Sequence, residues 1–125
     1  MQEERAMTKE MRECMVACFS CAQICNKCGD DMIGMDGENH DSQLMSLCIR
    51  LCRDCAEICL LTAQWIGRTS LFATQLCRLC SEICERCAEI CEQHAPHHAL
   101  CGPCAQQCRR CADLCRRMTA ASKAA

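Results

Sequence analysis

Nineteen of the 125 residues are cysteine, and their spacing is as informative as their number. They form four runs: Cys14, Cys18, Cys21, Cys25 and Cys28; Cys48, Cys52, Cys55 and Cys59; Cys77, Cys80, Cys84, Cys87 and Cys91; Cys101, Cys104, Cys108, Cys111 and Cys115. Thiolates are soft ligands that suit Cu(I), zinc and iron–sulfur clusters. Charge separates these choices, because a buried charge left without a partner costs several kcal/mol. One Cu(I) per thiolate leaves a nearly neutral interior. Four thiolates around each Zn²⁺ leave a net negative site, repeated along the array, and a structural zinc site needs only four ligands. Iron–sulfur motifs hold their cysteines on loops, unlike these regular runs. An unbroken array of this size points to capacity for Cu(I) rather than to one structural ion.

The intervals dictate the scaffold. Within every run they alternate strictly between three and four residues, which is the a/d stripe of an α-helix; a strand would need a period of two. Residues before the a positions are mostly apolar (Ala17, Ile24, Leu51, Ile58, Leu76, Ile83, Ile90, Leu100, Leu114), with Gln107 as the exception. Residues after the d positions are small (Ala22, Ala56, Ser81, Ala88, Ala105, Ala112). The remaining faces carry charge. The reading is all-α: one domain over residues 1–125, an up-down-up-down antiparallel four-helix bundle with a cysteine-lined core. Helices are expected near 4–34, 41–66, 70–94 and 97–120. Gly34, Gly37 and Asn39 separate the first two, with Asp41 as an N-cap. Gly67 ends the second, Thr69 or Ser70 caps the third, and Pro96 suits the first turn of the fourth. Pro103 requires that the fourth helix begin late or kink.

Composition supports this interior. With two phenylalanines, one tryptophan and no tyrosine, aromatic side chains cannot fill the core, whereas a free thiol packs as a small hydrophobe. The net charge of −2, with both signs interspersed, gives no basic face for nucleic acid. No apolar run is long enough to span a bilayer. The N-terminus, Met1 to Arg5, is charged and does not read as a secretory signal. A cytoplasmic location is expected, where thiols stay reduced. Disulfides fit poorly, because they need Cβ atoms closer than helical neighbours offer.

The stripes continue beyond the cysteines. At one end of an antiparallel bundle they reach Met32, Met35, Met45, His94, His97 and His98, with His40 in the adjoining loop. This end reads as an entry mouth, where thioether and imidazole pass ions to stronger thiolates. At the other end they reach Met7, Met11, Thr62, Ile66, Ser70, Ala73 and Met118, near Trp65, Leu71 and Phe72, and this end reads as an apolar plug, with Cu(I) binding by Met7 and Met11 as the lesser alternative. Antiparallel stacking groups Cys14, Cys59, Cys77 and Cys115 at the plug, and Cys28, Cys48, Cys91 and Cys101 at the mouth. Leu60, Leu61 and Trp65 turn partly away from the cysteine face and suit end packing or a subunit contact.

Four helical runs of alternating CxxC and CxxxC, with His and Met gathered at one bundle end, resemble the bacterial cytosolic copper storage proteins over nearly the whole chain. The resemblance implies a four-helix bundle holding many Cu(I) ions through core cysteines, often as a homotetramer. It also implies copper chaperones or copper enzymes as donor or recipient. The second run has four cysteines where the others have five, so one layer is expected to use Met45 or the neighbours of Thr62 instead. Competing readings are a zinc or cadmium buffer of metallothionein type and a thiol redox enzyme. The second needs one exposed, electropositive, low-pKa cysteine, and no pair stands out. No catalytic triad or phosphate loop is visible, and an enzyme is not expected.

Overall fold

The structure, a computed structural model, describes residues 6–35 and 42–124. It contains four α-helices: α1 (Lys9–Ile33), α2 (Ser42–Gly67), α3 (Ala73–His94) and α4 (Cys101–Ala124). A short 3-10 turn, Ala95–His97, precedes α4. Helix α1 packs on α2 and α4, and α3 packs on the same two helices, so the four form a square with antiparallel neighbours. His40, Gly37, Asn39 and Asp41 lie outside the described residues.

Cysteine is a mediocre helix former, so helices this rich in it depend on what their stripe buries. All nineteen cysteines are buried and free of disulfides. The seam residues complete the seal. Ala22, Ala56, Ser81, Ala88, Ala105 and Ala112 are buried, while Ile24, Leu51, Ile58, Ile83 and Leu100 pack half-buried against the core. Gln107 keeps its seam position by donating from Nε2 to the Ala17 carbonyl at 3.2 Å, which ties α4 to α1. Gly29 marks a close approach of α1 and α2: a Cβ there would lie 3.3 Å from the Cys52 Cβ.

The helix ends correct three expectations. First, α4 starts at Cys101, not near 97. Pro96 belongs to the 3-10 turn. Pro103 falls in the first turn of α4, where its missing N–H would have had no intrahelical partner. Second, α1 starts at Lys9 rather than near residue 4, behind Thr8. The Thr8 hydroxyl accepts from the Met11 N–H at 3.1 Å, and the Met11 sulfur accepts from the Thr8 N–H at 3.4 Å. A thioether thus takes the place that Glu or Gln holds in a capping box. Third, α2 ends at Gly67 as expected, but neither Thr69 nor Ser70 is the N-cap of α3; Thr69 is instead left-handed, at φ 52°, in the closure of α2. The Ser70 N–H donates to the Trp65 carbonyl and the Thr69 N–H to the Ile66 carbonyl, each at 2.9 Å. These two bonds are a Schellman closure. The N-cap position of α3 falls to Phe72, without a side-chain cap.

Candidate metal centre

The a/d stripes place the thiols in a continuous column. Between α1 and α4, Cys14 meets Cys115 at 3.7 Å, Cys18 meets Cys111 at 3.5 Å and Cys21 meets Cys108 at 3.7 Å. The pairing continues with Cys25 and Cys104 at 3.5 Å and Cys28 and Cys101 at 3.7 Å. Between α2 and α3, Cys48 meets Cys91 at 3.5 Å, Cys52 meets Cys87 at 3.9 Å and Cys55 meets Cys84 at 3.6 Å. Cys59 sits between Cys80 at 3.7 Å and Cys84 at 3.6 Å. Cross-links such as Cys21 to Cys55 and Cys59 to Cys111, both at 3.9 Å, join the two sides. These separations are far longer than the S–S bond of about 2.05 Å: they are contacts between free thiols.

The mouth layer is as expected, since Cys48 also approaches Cys101 at 3.9 Å. The plug layer is not. Cys59 stands one rung inward, against Cys80 and Cys111, and the next stripe position of α2 toward this end is Thr62. Thr62 is fully buried, and its hydroxyl is spent on the Ile58 carbonyl at 2.7 Å. It occupies the place where a fifth cysteine of that run would stand.

Several four-thiol sets, among them Cys18, Cys80, Cys111 and Cys115, have all their sulfurs within 4.8 Å of one another. With metal–sulfur bonds of about 2.3 Å, two sulfurs lie about 4.6 Å apart across a linear ion and about 4.0 Å apart around a trigonal one. The column therefore offers two-, three- and four-sulfur sites with little rearrangement, and net charge decides which ion fills it. A column of thiolates is neutralised by a monovalent ion at every sulfur.

The mouth carries the only histidines among the described residues. His94 ends α3 fully buried, with Nδ1 3.4 Å from the Cys101 sulfur. His97 is exposed and His98 half-buried. Their rings lie 6.0 and 6.3 Å from that of His94. The His98 Nε2 is buried without a hydrogen-bond partner among the described residues. Met32 is fully buried, and Met35 and Met45 are half-buried against the core. Hydrogen bonding with Cys101 lowers Cys28 to about 5 and lowers Cys48 as well, while Cys101 is itself raised by Cys28 and Cys48.

The opposite end is closed on its α2–α3 side by Thr62, Ala63, Ile66 and Ala73, all buried. Trp65 packs edge-on to Phe72 at 6.5 Å, and the Arg68 guanidinium lies 5.5 Å over the Trp65 ring.

The model of one protein family, copper storage protein, matches residues 7–120. The chain belongs to the copper storage protein family. Among solved structures, it is similar to a Cu(I)-bound copper storage protein, BsCsp3, at 35% identity and a TM-score of 0.79, covering 89% of this chain and 99% of that one. It is also similar to a cytosolic copper storage protein of Streptomyces lividans, captured with five coppers, at 29% identity and a TM-score of 0.82, covering 90% and 93%. A cysteine-rich protein of Bacillus subtilis, YhjQ, is 37% identical over 75 residues, a match spanning 60% of this chain and 66% of that protein. The family's four-helix bundle is the fold observed here. Among the described residues, no helix is long and apolar enough to cross a membrane.

Proposed function

We propose that this copper storage protein holds Cu(I) in its thiol column at about one ion per cysteine. The observation that carries the reading is the column itself: nineteen buried, unbridged thiols, with sulfur contacts running from Cys14 and Cys115 at one end to Cys28 and Cys101 at the other. Each Cu(I) replaces one thiol proton, so the core stays near neutral as it fills, and acidification favours release. Ions enter at the end bearing His94, His97, His98, Met32, Met35 and Met45. His94 is the hinge of that route, because its ring nitrogen already adjoins Cys101. Described relatives include a cytosolic one, and we place this chain in the cytoplasm too, exchanging copper with chaperones or copper enzymes. The exposed Val16, Phe19, Leu60 and Leu61 supply apolar area for the subunit contacts of a homotetramer.

The zinc or cadmium reading is tested by competition. Reduced protein given Cu(I) and Zn²⁺ together and then desalted should carry copper almost alone. Zinc retained at about one ion per four sulfurs would contradict the proposal. Entry is tested by rate: replacing His94, His97 and His98 with alanine should slow Cu(I) uptake about tenfold while the endpoint holds. Unchanged kinetics would remove the mouth from the account.

A further inference from the structure

The α1 stripe does not change element at the plug. In the sequence the three-and-four spacing of sulfur runs unbroken from Met7 to Met35, two thioethers, then five thiols, then two thioethers; Met11 to Met32 lie on α1, with Met7 just ahead of the Thr8 N-cap and Met35 just past the helix end. The mouth accounts for one pair. The other pair, Met7 and Met11, stands where an apolar plug needs no sulfur, and α4 adds Met118 one helical turn beyond Cys115. Met7, Met11 and Met118 are half-buried, with Met11 and Met118 packed against the core. The next stripe positions inward from Met11 and Met118 are Cys14 and Cys115, whose sulfurs are 3.7 Å apart. The closure by Thr62, Ile66 and Ala73 lies on α2 and α3, the other half of the same end.

We infer that this α1–α4 corner is a second Cu(I) port, a thioether gate of Met7, Met11 and Met118 leading to Cys14 and Cys115. A thioether is neutral and soft, so it holds Cu(I) more weakly than a thiolate and can pass it on. The layer below has only three thiols, because Thr62 replaces the fourth and its hydroxyl is engaged with its own helix. An ion there is the least surrounded by thiolate in the column and the most readily drawn outward. Movement is ligand exchange between sulfurs, with no change of oxidation state. Met11 retains a free sulfur lone pair after accepting the Thr8 N–H. This inference rests on the reading of the core as a Cu(I) store.

The test uses the full reduced chain loaded anaerobically with Cu(I), in a background with His94, His97 and His98 replaced by alanine. Removal by an excess of a chromophoric Cu(I) chelator is followed in time. Replacing Met7, Met11 and Met118 with leucine keeps volume and removes only sulfur, and should slow removal about threefold or more. Met15→Leu is the control: its sulfur lies off the stripe, 3.3 Å from where a Gly67 Cβ would sit, and removal should be unchanged. Equal rates in the triple variant and its parent would overturn the port, as would equal slowing by Met15→Leu, which would indicate packing alone. In the native chain, ¹³C-methyl signals of Met11 and Met118 should shift as Cu(I) is added; signals that never move would also overturn it. A chain that takes up no Cu(I) would overturn the storage reading together with the port, and the uptake endpoint separates that failure from the others.

Discussion

Thr62 shows how much one side chain decides in a column of otherwise repeated ligands. Its position continues the 48–52–55–59 stripe, its side chain is fully buried, and its hydroxyl is occupied by the Ile58 carbonyl. Thr62→Cys should therefore place a new thiol beside Cys14, Cys77 and Cys115 and raise the Cu(I) endpoint by about one ion. An unchanged endpoint would mean that this layer is not part of the store. The sequence marked the second run as one cysteine short, and it named Thr62 among the stripe residues of the plug. It did not reveal that Cys59 shifts one rung inward, because the layer pairing of antiparallel helices depends on the stagger between them, and stagger is set by packing. His94 was legible as a ligand type at the right spacing. Its full burial and its 3.4 Å approach to Cys101 were not, since they depend on the path of the chain through the 3-10 turn between α3 and α4.

At the scale of the helices, the strict three-and-four spacing was enough to read every element and its inward face, because that period fits one stripe of one structure. The ends were harder. Proline at 96 and 103 each suits a first turn, and only one of them opens α4. Glycine at 67 does end α2, but the left-handed residue of the closure is Thr69, at φ 52°. A β-branched residue there is strained, at a cost of about 1–2 kcal/mol, partly offset in a glycine variant by lost backbone entropy. Thr69→Gly should accordingly raise the unfolding free energy of the reduced apo-protein by about 0.5–1 kcal/mol, read as a higher denaturant midpoint. A lowered midpoint would mean that the 2.7 Å bond from the Thr69 hydroxyl to the Arg68 carbonyl outweighs the strain.

The whole molecule is a container whose wall and contents are specified by different parts of the same heptad. Small and apolar seam residues seal the wall, so the helices need no metal to bury their stripes. The thiols stay in contact but unbridged, ready to exchange protons for cations. Acid should weaken retention, because each departing Cu(I) is replaced by a proton. The family match and the shared bundle tie this design to copper storage. The measurement that bears on it most directly is an anaerobic titration of the fully reduced chain with Cu(I) against a chromophoric chelator. The account predicts that the chelator stays uncoloured until close to one ion per cysteine has been bound, nineteen thiols in all. Saturation after only a few ions would contradict it, leaving most of the thiols as core packing and confining metal chemistry to the histidine and methionine end.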